Sequence, residues 1–330
     1  MENTAKRSVI CTILFLLAVL LFTGCSMKKT ETPADSSAYQ VTDAFGHTVT
    51  LPHKPRRILG TSSSIDTMLL GVVEPDRLVA CFTADKDPAI SYISEEIKNI
   101  SLTMPLNGLS MEILTQAAPD LIVASSYTKP KELELWRNLG YPVIQIDGPK
   151  SLNQVKQDIE IIAAAAGEKE RGEKVIAEMD RQLAEIDTVL GQRTEPQPKA
   201  LLVSQMTSYG GPGSMYHELL TRARIRNAIG EVGVSNGQLL AGELIVKSDP
   251  DFFIVSSDRP SDETGAGRFR NEFFANLAIQ NMRAYGNVQV LNDRYIYAAS
   301  QNCVYAIKAM ANAAYGPLFD MTEEKQIKGY

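Results

Sequence analysis

The sequence predicts an α/β fold in which two lobes, each built on a parallel sheet, are joined by one long α-helix. Three observations predict it. The chain repeats a block: Glu112 to Val123 matches Glu243 to Ile254, and in each copy Glu opens a short helix that Pro-Asp stops. The segments after Pro-Asp, Leu121-Ile122-Val123 and Phe252-Phe253-Ile254, are apolar without alternation. Such runs read as strands buried on both faces, the habit of a parallel sheet covered by helices, so each half is an α/β lobe with helices on both faces of its sheet. Between the copies, Val175, Met179, Leu183, Ile186 and Leu190 recur at three- and four-residue steps in an otherwise charged segment. That narrow stripe describes a helix lying on a surface; at ~1.5 Å per residue it would be ~35 Å long.

In chain order, residues 1–24 read as a leader. Lys6 and Arg7 precede an apolar run from Val9 to Phe22, which is about the length of a signal-peptide core and shorter than the ~20 residues of a bilayer span. It ends in Leu21-Phe22-Thr23-Gly24-Cys25, which resembles a bacterial lipobox, where the thiol is acylated and the bond before it is cut; Phe22 departs from the usual leucine. An uncleaved anchor is the other reading, and both leave the remainder outside the cytoplasmic membrane. Residues 25–38 carry almost no large apolar groups and read as a flexible tether. The N-terminal α/β lobe is expected over 39–166, ending in a helix that Ser151 caps. Gly167 interrupts, the interdomain helix occupies 167–195, and Pro196 and Pro198 precede the C-terminal lobe over 196–320, with 321–330 as a tail. Two further matches keep the order of the first: Pro55 to Ser62 with Pro198 to Ser204, and Pro142 to Ile146 with Val288 to Leu291. A single helix as the covalent link implies limited hinge bending.

Composition narrows the function. With 33 basic against 39 acidic residues, no basic stripe is left over for phosphates, so nucleic-acid binding is disfavoured. His47, His53 and His217 are scattered, and no CxxC occurs, so neither a resident metal nor a redox dithiol is expected. Cys81 and Cys303 are expected as buried free thiols. A partial dinucleotide turn at Gly211-Pro212-Gly213 has Tyr216 where the third glycine would be. Nothing assembles a nucleophile, a base and an oxyanion donor. The chain is therefore expected not to be an enzyme and to need no cofactor.

The stretch Val41 to Val49 leading to Pro55-Arg56-Arg57-Ile58, both Glu…Pro-Asp blocks, Asn227-Ala228 after a helix and the closing Tyr315-Gly316-Pro317-Leu318-Phe319 resemble, as an ordered set, the solute-binding lipoproteins of iron-siderophore, haem and cobalamin ABC importers. The resemblance covers roughly residues 40–320. It implies a fold of two Rossmann-like lobes bridged by one helix, an iron-siderophore or related chelate or tetrapyrrole as ligand, an ABC permease dimer as partner, attachment to the membrane through lipid on Cys25, and a monomeric protein. It further implies that Glu112 and Glu243, one per lobe, pair with permease arginines. A carboxylate at a helix N-terminus also complements the helix dipole by ~0.3–1 kcal/mol, and the two roles are compatible.

In open α/β sheets, ligands lie beyond the carboxyl ends of the strands. That rule selects Ser62, Ser63, Phe82, Asn107, Ser126 and Tyr127 in the first lobe and Tyr209, Ser257, Arg259 and Tyr297 in the second, a lining of hydroxyls and aromatic faces suited to a large, partly polar organic ligand. Arg259, Arg268 and Arg270 are candidates to meet the negative charge of a ferric complex. A siderophore brings its iron already coordinated, consistent with the scarcity of histidine. Haem remains open through Tyr127 and Tyr209, although Asn107 and Asp258 stand where relatives carry axial ligands. Cobalamin is not separable from a siderophore. A sensor lipoprotein uncoupled from transport is the other alternative.

Overall fold

The computed structural model describes residues 37–105, 108–256 and 266–330. The leader, Cys25 and most of the tether, and likewise Asn107, Ser257 and Arg259, lie outside the described residues. A hairpin of β1 (Tyr39–Thr42) and β2 (Thr48–Leu51) comes first. Its turn closes on Asp43, whose carboxylate accepts the backbone N–H groups of Phe45 and His47, each at 2.9 Å. His47 is thus a turn residue.

The strands of the first lobe are β3 (Ile58–Gly60), β4 (Cys81–Phe82), β5 (Thr103–Met104), β6 (Leu121–Ser125) and β7 (Val143–Ile146), with β3, β6 and β7 in one sheet and β4 and β5 in a separate, two-stranded one. β3 pairs with β6 and β6 with β7, all parallel. On the other flank of β3, Leu78 bridges to Ile58 just before β4, which pairs in parallel with β5. The second sheet comprises β8 (Lys199–Val203), β9 (Arg226–Asn227), β10 (Phe252–Ser256) and β11 (Val288–Leu291), parallel throughout in the order β11-β10-β8-β9. The two lobes therefore share one plan: a segment flanks the opening strand on one side, Leu78 beside β3 and β9 beside β8, and two later strands stack on the other, β6 and β7 in the first lobe and β10 and β11 in the second.

The repeated Pro-Asp explains how that register is set. Ala118 and Asp249, the residues before the prolines, both take left-handed backbone, with φ of 40° and 39°. The helix thereby ends, and the chain turns into a strand. Asp120 then donates its N–H to the Arg57 carbonyl at 2.8 Å, and Asp251 donates to the Lys199 carbonyl at 2.7 Å. Each carboxylate returns the contact: Asp120 accepts the N–H groups of Arg56 and Arg57 at 2.8 Å, and Asp251 accepts that of Lys199 at 2.7 Å. One aspartate per lobe thus locks the second strand onto the first.

Helices α1 (Ser63–Val72), α2 (Met111–Ala117), α3 (Pro130–Asn138) and α4 (Leu152–Ala166) accompany the first sheet. The linking helix is α5 (Lys169–Gly191). With the second sheet come α6 (Met215–Arg222), α7 (Ala228–Glu231), α8 (Gly242–Ser248), α9 (Ala266–Ala275), α10 (Leu277–Gln280), α11 (Asp293–Ile296) and α12 (Cys303–Tyr315). Ser151 caps α4, accepting the Gln154 N–H at 3.2 Å, and Gly167 ends it with φ of 70°. Along α5 the five residues of the expected stripe are all buried. Cys81 and Cys303 are free and buried, and burial pushes their thiols up to about 11 and about 12.

The last ten residues depart from expectation: they are not a loose tail. After α12 the chain returns to the first lobe and packs on α1. Ile327 is buried, the Gly329 N–H donates to the Gly71 carbonyl at 2.9 Å, and Gln326 donates to the Thr67 carbonyl at 2.7 Å. Glu324 accepts the hydroxyls of Tyr92 and Tyr295, both at 2.8 Å, and lies 3.4 Å from Arg294. The Arg171 guanidinium stacks over the Tyr330 ring at 4.5 Å. Nothing in the composition of 321–330 announces this, because its partners in the first lobe, Tyr92 and Thr67, are more than 200 residues away in sequence.

Candidate functional site

The carboxyl ends of both sheets face a common gap. A cavity of about 350 Å³ is walled on one side by the loops after β3, β6 and β7, with Ser62, Ser64, Ser125, Tyr127, Gly148 and Lys150. On the other side stand the loop after β8, with Met206 and Tyr209, the Asn236-Gly237 turn, and Tyr297 beyond β11. A deeper cavity of about 190 Å³ shares Ser64, Tyr297 and Ala299 and adds Ser63, Asp85, Arg294 and Asn302.

Each wall is held by local chemistry. Ser62 caps α1, accepting the Ile65 N–H at 3.3 Å, and its hydroxyl lies 3.1 Å from that of Ser64. Tyr297 and Tyr209 pack against each other with ring centroids 5.4 Å apart and planes tilted by 41°. The Tyr297 hydroxyl is 2.7 Å from that of Ser204, and the Tyr209 hydroxyl donates to the Ile296 carbonyl at 3.3 Å. Tyr127, by contrast, is 73% exposed at the rim. Burial, with the neighbouring Tyr297, raises the Tyr209 phenol well above its ordinary value, so it stays a neutral hydrogen-bonding surface.

Five expected lining residues, Ser62, Ser63, Tyr127, Tyr209 and Tyr297, thus meet at the gap. Two expectations fail on geometry. Phe82 is 5% exposed and packs with Leu59, Met104, Leu114 and Trp136 in a second core inside the first lobe, because β4 is covered on both faces. Ser126 walls neither cavity; its hydroxyl donates to the Asp147 carbonyl and braces the loop that carries Gly148. Arg268 lies 3.9 Å from Glu272 on its own helix, and Arg270 donates to the Ser256 carbonyl at 3.4 Å. Lys150, Asn236, Asp85 and Arg294 are walls that the sequence reading missed. Lys150 follows a predicted strand, so the strand-end rule could have found it. Asn236 reaches the gap from a turn after a helix, which carries no such signal, whereas Arg294 lies on α11 just past the end of β11, where the same rule could have found it.

Glu112 and Glu243 wall neither cavity. Both are exposed in the first turn of α2 and α8, and neither carboxylate has an ion-pair or hydrogen-bond partner among the described residues. Each helix leads into a strand that pairs in parallel with the opening strand of its lobe, so the helix runs back along the sheet and its first turn lies toward the strands' carboxyl ends.

Two buried carboxyls underlie the gap. Asp66 on α1 is fully buried against Gly60 and the Phe82 backbone, and desolvation followed by the charge of Asp85 pushes its carboxyl well above the usual range. Burial likewise raises Asp85 to about 6, with Ser63 as its nearest donor, and raises Asp158 to about 6. The folded protein holds these protons more tightly than the unfolded chain, whose aspartates titrate near ~3.9. Their contribution is therefore full below about pH 4 and is lost as pH rises through about 6, on the order of 3 kcal/mol for each of Asp85 and Asp158. Asp66→Asn removes one such charge. We expect its melting temperature to exceed the parent's by several degrees at pH 7.5 and to match it at pH 4; equal curves at both pH values would show that the fold does not raise the Asp66 carboxyl.

Comparison with known proteins places this geometry. A sequence model described as periplasmic binding protein matches residues 58–294. Two Bacillus subtilis (strain 168) proteins are similar: "Probable siderophore-binding lipoprotein YfiY", 22% identical over 57% of this chain, and "Iron-uptake system-binding protein", 24% identical over 79% of it. The chain spans 58% of the length of the first and 83% of the second. The structure of the periplasmic heme-binding protein RhuT from Roseiflexus sp. RS-1, in apo form, matches with a TM-score of 0.67 at 20% identity, over 78% of this chain and 99% of that one. The sequence match begins at β3 and runs through α5 to α11, so it takes in both sheets and the helix between them, and the chain belongs to the periplasmic binding protein family.

Proposed function

We propose that this protein is an extracytoplasmic, lipid-anchored component of an ABC importer that captures an iron-siderophore chelate between its lobes and delivers it to the permease. The observation that carries the reading is the gap itself, where strand ends of both lobes present hydroxyls (Ser62, Ser63, Tyr297) and aromatic faces (Tyr127, Tyr209) to one space. Hydroxyls and rings recognise a ligand by its periphery, which suits a chelate whose iron is already saturated. Among the described residues no group of three His, Cys, Asp or Glu side chains is placed to hold a metal ion. The names of the two Bacillus relatives point the same way. Haem is the second reading, favoured by the exposed phenol of Tyr127 at the rim; the raised Tyr209 phenol counts against a second tyrosinate ligand.

The test is a thermal-shift screen with ferric catecholate and ferric hydroxamate siderophores, haemin and cobalamin. Ligand at about 100 times its Kd adds about 2.7 kcal/mol to folding stability, which for a chain of this size is a shift of roughly 5 °C or more. The expected result is a shift with a ferric siderophore and none with the iron-free form. A shift with haemin or cobalamin alone transfers the reading to that ligand, and silence with all four classes removes it.

A further inference from the structure

A third cavity opens beside the polar gap, inside the second lobe. Its volume is about 220 Å³, and its walls include Leu202 on β8, Ile229 on α7, Leu240, Ile245 on α8 and Phe273 on α9. The polar groups at its edge are few, and one of them, the Ser204 hydroxyl, is already engaged by the Tyr297 hydroxyl and the Met206 N–H. Protein interiors are packed to crystal density, and voids larger than a water molecule are few. A dry apolar cavity of only about 150 Å³ admits benzene, so this one is large enough for a ring or a short hydrocarbon chain.

Its position gives it a use. Met206 and Tyr209 wall both this cavity and the larger polar one, so the two spaces are separated by the thickness of a side chain. Met206 is 55% exposed and Leu239, next to Leu240, is 73% exposed. An unbranched thioether can swing aside to join the two spaces. A molecule with its polar part among the serines and tyrosines could therefore pass an apolar arm over Tyr209 into the slot.

We infer that the slot receives a hydrocarbon or aryl arm of the ligand, so that the cargo is an amphiphilic chelate and the second lobe selects for its apolar appendage. This rests on the chelate reading above. The test uses two probes with the same iron coordination, the ferric complexes of acetohydroxamic acid and of hexanohydroxamic acid, titrated into the full chain by calorimetry. Each buried methylene strengthens binding several-fold, so the hexanoyl complex should bind at least about tenfold more tightly. Ile245→Trp, which fills the slot, should abolish that gain while leaving the acetyl complex at parental affinity; Leu240→Phe serves if the first variant does not fold. Equal affinities for the two complexes, or a gain that survives filling, overturn the slot and leave the chelate reading standing. If neither complex binds, the chelate reading falls for hydroxamates and the inference falls with it.

Discussion

Replacing Glu112 and Glu243 together by alanine should stop uptake while leaving ligand affinity unchanged. Both carboxylates are exposed and unpartnered among the described residues, and they occupy matching places in the two lobes, in the first turn of α2 and of α8. Under the importer reading proposed above, matching anionic points on the two lobes would meet the two halves of a permease dimer. Close charge pairs across an interface are coupled by about 1.5 kcal/mol or more, so losing two would weaken docking by roughly a hundredfold or beyond. Each single variant should retain partial uptake. The measurement pairs cellular uptake of radio-iron chelate with a binding titration on the purified variant. Parental uptake by the double variant would discard the docking role, and a loss of ligand binding would relocate these residues to the pocket.

Deleting residues 322–330 should lower folding stability by about 3–5 kcal/mol, a fall in melting temperature of roughly 5–10 °C. The deletion removes Ile327 from a fully buried position, worth about 2 kcal/mol. It also strips Tyr92, Tyr295 and Arg294 of the Glu324 carboxylate, whose side chain is 5% exposed. Breaking such a buried, hydrogen-bonded charge costs about 3–5 kcal/mol when the partner is left dry, and less here because Arg294 is 25% exposed. The freed segment regains chain entropy, which offsets part of the loss. Because the strap contacts α1 of the first lobe after leaving the second, its removal should also loosen the lobes, seen as faster hydrogen exchange at Thr67 to Val73. An unchanged melting temperature would show the strap to be ornamental.

The parts that were legible in the sequence are those encoded by near neighbours. Buried strands announced themselves as unbroken apolar runs, the α4–Gly167–α5 break by a cap and a glycine, and the duplication by Glu…Pro-Asp at matching intervals. The Pro-Asp pairs that stop the two short helices also carry carboxylates that bind the entry of the neighbouring strand. Phe82 shows the limit of the strand-end rule: it stands at the end of β4, yet residues of β5 and α2 cover it.

By itself the sequence determined the fold class, the number of lobes and the helix that links them, since period, caps and turn chemistry act over a few residues. Tertiary structure alone decided which strand-end residues share the gap, that Asp66 and Asp85 face one another beneath it, that an apolar slot adjoins it, and that the last ten residues strap the second lobe to the first. Those outcomes depend on contacts between residues tens to hundreds of positions apart, where side-chain volume and the close packing of whole elements settle what touches what.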